Sequence, residues 1–134
     1  MASFNTASLS RWQPEALAIL RIVAGVTFMA HGIIKLFGFP DGAQPGQQEI
    51  ASLMGVAGIL ETFGGLLIVL GLFTRPTAFV LSGMMAVAYW MAHAPSSPYP
   101  AVNGGDAAIL FCFVFLYFVT SGPGAWSVDE MRKG

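Results

Sequence analysis

The chain reads as an all-α membrane protein, an antiparallel four-helix bundle. Three observations predict this. Of its 134 residues, 55% are hydrophobic and only 10% charged, against about 25% charged in an ordinary soluble domain. Mean hydropathy is +0.68. Four apolar stretches, each near the ~20 residues that a membrane helix requires, are separated by Pro- and Gly-rich breaks. The length admits one domain, residues 1–134.

The first span runs from about Glu15 to Phe39. Arg21, His31 and Lys35 interrupt it, and no A-x-A site follows it, so it reads as a retained helix and not a cleaved signal peptide. "FPDGAQPGQQE" ends it as a turn region. The second span covers about Ile50 to Phe73. Ala51, Gly55, Gly58, Thr62 and Gly65 recur along it at three- and four-residue steps. Such a small-residue stripe lets two helix backbones approach where lipid gives no hydrophobic drive for association. Gly64 and Gly71 add a second small stripe. "TRP" separates the second span from the third, Thr77 to Ala94, and "APSSPYPAVNGG" is a stiff loop. The fourth span, Asp106 to Thr120, closes at "SGPG". In lipid each backbone polar group must be satisfied within the segment, so the spans are helices.

Charge sets the expected orientation. With four alternating spans, Arg11, Arg21, Arg75, Arg132 and Lys133 fall on one side and only Lys35 on the other. The positive-inside rule then puts both termini in the cytoplasm, as a multi-pass protein of the cell inner membrane. A net charge of -1 offers no basic field for nucleic acid. The single cysteine, Cys112, excludes an internal disulfide or dithiol exchange within the chain.

Five ionisable residues remain as site candidates. A charge at the bilayer centre costs about 2.5–3.5 kcal/mol on insertion scales, so each should face the interior and find a partner. At 1.5 Å per residue, His31 lies about 12 Å below the outer end of its span and Glu61 about 15–17 Å below the outer face. They share a level. Lys35 is nearer the surface, His93 closes the third span, and Asp106 opens the fourth. Each has a plainer reading beside the functional one. Lys35 snorkels to headgroups, Asp106 caps its helix, and His93 is an interfacial residue. Arg75 anchors topology, and Arg21 is the counter-charge for Glu61 or for headgroups. A histidine, a lysine and a carboxyl in one apolar cavity suit a quinone headgroup, whose oxygens take donors and whose reduction takes up protons. Metal and haem are not expected, because no H-x-x-H, E-x-x-H or C-x-x-C-H spacing occurs.

"LRIVAGVTFMAHGIIKLFGF", "GILETFGGLLIVLGLFTRPTAFVL", "NGGDAAILF" and "SGPGAWSVDE" together resemble the DoxX family of small four-helix bacterial membrane proteins, from about Leu20 to Glu130. The resemblance implies the fold and an inner-membrane location. It also implies a link to quinone-dependent oxidoreduction, or to quinone, catechol and thiol stress. The expectation is an integral inner-membrane component of an oxidoreductase system that binds a quinone-like or phenolic molecule in the outer half of the bundle. Glu61 and His31 are its catalytic candidates, and His31, Lys35, His93 and Asp106 its ligand-binding candidates. It would work among membrane lipids with a protein partner or as a homo-oligomer. The alternatives are a non-enzymatic anchoring subunit and, less readily, a small transporter or proton path.

Overall fold

The computed structural model describes residues 5–133. Among them there is no strand. After a short α1 (Thr6–Ser10), four long helices follow: α2 (Gln13–Phe37), α3 (Leu53–Leu70), α4 (Thr74–Ala88) and α6 (Asp106–Ser121). A wide helical turn (Tyr89–His93) and a tight one (Ala94–Ser96) extend α4. The short α5 (Pro100–Asn103) lies in the loop after them, and α7 (Val128–Lys133) ends the chain. Three segments are long and apolar enough to cross a membrane: Gln13–Phe37, Leu53–Leu70 and Thr74–Ser96. The apolar α6 is shorter.

Local chemistry explains the boundaries. Pro14 sits in the first turn of α2, where its missing N–H costs nothing. Gly38 ends α2 in the left-handed region, with its N–H on the Ile34 carbonyl. The Ser52 hydroxyl caps α3 by accepting from the Gly55 N–H at 3.0 Å. The third span begins earlier than the sequence suggested. Thr74, Arg75 and Pro76 form the first turn of α4, a place that tolerates proline, and not a break before it. Their start is fixed from a distance. The Asp129 carboxylate accepts the Phe73 N–H at 2.8 Å and the Thr74 N–H at 2.9 Å.

The four long helices form two close antiparallel pairs, α2 with α3 and α4 with α6, joined by lesser contacts. The α2–α3 seam is made by glycines from both sides. A Cβ on Gly32 would sit 2.4 Å from Thr62 Oγ1, and one on Gly65 would sit 2.8 Å from Met29 Cβ. Gly58 and Gly65 of the sequence stripe do face α2. Gly55 instead packs on the Glu49 backbone, and Gly64 faces Leu81 of α4. The matching glycines on α2 are Gly25 and Gly32. Seven residues apart, like Gly58 and Gly65, they hold one seam through two helical turns. The second pair carries most of the apolar core. Leu81 and Met85 pack with Phe115 and Phe118, and Phe28 of α2 meets the Phe115 ring edge-on at 4.9 Å.

The outer surface is apolar, and two charged side chains lie inside the bundle. Arg21 and Glu61 are 0% and 3% exposed, whereas Phe63, Phe79 and Phe113 stand more than half exposed. Surface of that kind is stable against hydrocarbon and not against water.

Candidate functional site

The site forms where α2 and α3 approach near the Gly38 end. His31 and Lys35 lie one helical turn apart on α2. Glu61 lies three residues after Gly58 on α3. A Cβ on Gly58 would come 2.8 Å from Lys35 Cβ, so the glycine makes the room that the lysine stem occupies. Lys35 Nζ then donates to Glu61 Oε1 at 2.6 Å. The side chains are 12% and 4% exposed. Lys35 is therefore drawn inward to a carboxylate and does not simply snorkel to headgroups.

Glu61 is only half satisfied. Its second oxygen, Oε2, is buried and has no hydrogen-bond partner among the described residues. Leaving a buried carboxylate oxygen unmatched costs on the order of 1–3 kcal/mol or more. Most such atoms in folded proteins are paired; Glu15 Oε2, Arg21 Nε and Thr74 Oγ1 are the others left open among the described residues.

His31 borders this pair within electrostatic range of Glu61. Its ring is exposed on the surface of α2 and meets Phe111 of α6 edge-on at 6.1 Å. Nδ1 lies 2.9 Å from the Thr27 carbonyl. A carbonyl only accepts, so Nδ1 carries the hydrogen in that bond, and Nε2 is the ring's acceptor in its neutral form.

The other two candidates belong to the α4–α6 pair. His93 is half-buried and donates from Nδ1 to the Asn103 carbonyl at 3.1 Å, while its ring stacks on Tyr89. Asn103 is the centre of a closed network. Its amide donates to Tyr89 Oη at 3.2 Å and the Ser97 carbonyl at 3.0 Å, and its Oδ1 accepts the Gly105 N–H at 2.8 Å. Asp106 is exposed and is the first residue of α6, with Gly105 in the cap position and no side-chain cap there. The expected Asp106 cap is thus absent, since its carboxyl lies inside the helix start and not before it. Sequence reasoning passed over Asn103. Its signal was an amide beside two glycines in a Pro-rich loop, where a side chain must close the turn.

Arg21 corrects a sequence expectation. It does not pair with Glu61. Its two terminal nitrogens bond the carbonyls of Pro123, Ala125, Trp126 and Val69. The 122–127 segment folds back over the bundle end and its carbonyls engage the guanidinium, while a Cβ on Gly71 would come 3.1 Å from the guanidinium carbon, so only glycine leaves room for it there. Asp129 is the charge within range of Arg21. Burial works to raise the Asp129 carboxyl, but the N–H groups of Thr74 and Phe73 and the charge of Arg132 outweigh it and hold it below the usual range. Arg75 donates to the Val119 and Thr120 carbonyls at 2.8 and 2.7 Å and so caps the end of α6.

Two clefts lie at the opposite end from Glu61. One of about 580 Å³ runs between Leu17 and Leu20 of α2 and Tyr117 and Ser121 of α6. The other, about 440 Å³, is lined by Arg11, Trp12 and Glu15. Among the described residues, no cluster of histidine, cysteine and carboxylate side chains is set to hold a metal ion.

A bundle with this outer surface, and with a buried lysine–carboxylate pair across its tightest helix seam, is a small helical membrane protein. The DoxX family model matches residues 16–94, and the chain belongs to that family. It is 41% identical over 127 residues to an uncharacterized protein of Haemophilus influenzae, covering 92% of this chain and 95% of that one. The uncharacterized membrane protein Rv3486 of Mycobacterium tuberculosis is 30% identical over 143 residues, covering 87% of this chain and 81% of its own length. The inner membrane protein YqjF of Escherichia coli is 25% identical over 138 residues, covering 92% and 96%. No solved structure matches the chain.

Proposed function

We propose that this protein is an inner-membrane component of an oxidoreductase system, with both termini cytoplasmic, and that it binds a quinone-like or phenolic molecule at Lys35, Glu61 and His31. One observation carries the reading: Glu61 Oε2, buried and unpartnered beside the Lys35 ammonium. A ligand oxygen there would meet a cation and an acceptor together. The residues present fit such a ligand. The pair is neutral as a whole, so a neutral ring adds no net charge to the bilayer interior. When bound, a quinone supplies two-electron chemistry coupled to two protons, and Glu61 and His31 are the groups that hold or release protons beside it. His93 and Asp106 stand on the other helix pair at the same end, where they serve the loop and the entry side. Electrons would come from a protein partner or a soluble donor.

Mass spectrometry of the protein purified gently from its native membrane tests this. A stoichiometric quinone or phenol, lost in His31→Ala and Glu61→Gln while the protein stays folded, is the expected result. A second reading, an anchoring subunit, draws on the position of the ion pair across the glycine seam, where it fixes the register of α2 on α3. A stoichiometric protein partner with no small ligand would favour it. In that case the polar variants would lose abundance and not ligand.

A further inference from the structure

The hydrogen-bonding sense of the site goes further than ligand class. Glu61 Oε2 is an acceptor with nothing to accept. In the neutral ring His31 Nε2 is also an acceptor, because Nδ1 is committed to the Thr27 carbonyl. Lys35 supplies the donors, and one of its N–H groups is already on Glu61 Oε1. At the buried oxygen, the missing partner is a donor. A quinone carbonyl has none, and would set a lone pair against Oε2. A hydroxyl oxygen has both functions. It can donate to Oε2 and accept from Lys35 Nζ at once.

Resting on the ligand reading above, we propose that the site selects the hydroxyl-bearing, reduced form of an aromatic ring over the oxidised form. Glu61 and His31 are the residues that set this preference, since both present acceptors. Thr27, through its carbonyl, is a positioning residue that fixes the His31 tautomer. The preference has the sense of a site that retains a diol: its free groups are the ones that take a proton from a ring hydroxyl, not the ones that give one to a carbonyl.

The test is anaerobic binding of three tetramethyl-substituted probes to the full chain in lipid nanodiscs, with empty nanodiscs subtracted. The probes are tetramethyl-1,4-hydroquinone, its dimethyl ether and tetramethyl-1,4-benzoquinone. All share a ring that is fully substituted and so does not alkylate Lys35 or Cys112. The expected result is a hydroquinone at least about tenfold tighter than either of the others, as a lost hydrogen bond to a buried charged group implies. In His31→Phe and in Glu61→Gln the ratio should move toward one. His31 is exposed, so its variant folds even where removal of Glu61 disturbs the seam. Benzoquinone or ether binding as tightly as the hydroquinone would overturn the selectivity and leave the ligand reading standing. Binding of none of the three would overturn both.

Discussion

Replacing Lys35 with methionine removes the charge that faces Glu61 and keeps the length of the stem. At 2.6 Å and an effective dielectric of 20, the attraction between the two charges is about 6 kcal/mol. Taking the two ions out of water costs several kcal/mol each. The intact pair is therefore close to neutral for stability, while either partner alone is a liability. Lys35→Met should destabilise the folded bundle by about 3–5 kcal/mol, the usual loss when one half of a buried pair is removed. Lys35→Met combined with Glu61→Leu should recover most of that loss, because no buried charge is left behind. The cycle should show a coupling of about 3 kcal/mol or more, read by denaturant unfolding of the purified protein in detergent. Raising the salt concentration should leave the coupling almost unchanged, since the pair is shielded from counter-ions. If the double variant lost the sum of the two single losses, the two groups would not be energetically paired and the account of the site would fail.

Other outcomes follow from the same geometry. Gly32→Val should force α2 off α3, because even a Cβ there falls 2.6 Å from the Thr62 backbone nitrogen; a loss of several kcal/mol in detergent unfolding is expected. Gly83→Ala meets nothing within 4 Å and should stabilise α4 by up to about 1 kcal/mol in the same assay. Asp129 has a folded-state pKa held below its unfolded value. Its contribution is therefore fully present above the unfolded pKa of about 3.9 and is lost as pH falls through the lower folded value. Comparing Asp129→Asn with the native chain should show a stability gap near neutral pH that closes in acid; a gap independent of pH would refute the assignment. Reporter fusions at the C-terminus should report the cytoplasm, and a fusion after Gln44 should report the opposite side.

Much of the fold was legible because lipid leaves so few choices. Uninterrupted apolar runs with Pro/Gly breaks can only be helices, and the small residues of α3 announced a close seam. The partner face on α2 was harder to see. Gly25 and Gly32 lie seven residues apart and are masked by the bulky Val26, Phe28 and Met29 between them. Depth was legible for one pair of residues: Gly32 faces Thr62, so His31 and Glu61 lie near one level. Which groups pair was not legible. Lys35 and Arg21 are both cations on α2, and depth alone gives either of them to Glu61. The choice is made by Gly58, which admits the Lys35 stem, and by the 122–127 segment, whose carbonyls engage Arg21. No pattern on α2 or α3 carries that second fact, because it depends on a chain reversal a hundred residues away.

The two buried charge centres of the bundle each leave one polar atom unpartnered, Arg21 Nε and Glu61 Oε2, and they differ in what their other atoms hold. Arg21 spends both terminal nitrogens on backbone carbonyls, holding the end of the chain against α2 and α3. Those carbonyls would otherwise lack partners in an apolar setting, so the arginine answers a need that the fold itself creates. A ligand could engage its terminal nitrogens only by taking them away from the chain. Lys35 and Glu61 answer no such need. Both side chains are brought inward from helices whose backbones are already satisfied, and after they meet one carboxylate oxygen is still open. A staple between α2 and α3 alone could have been built from packing glycines and Thr62, which are present on the same seam. A buried ion pair that is close to neutral for stability adds little to a seam that already closes, so its open carboxylate oxygen is a feature that the packing of α2 on α3 does not require.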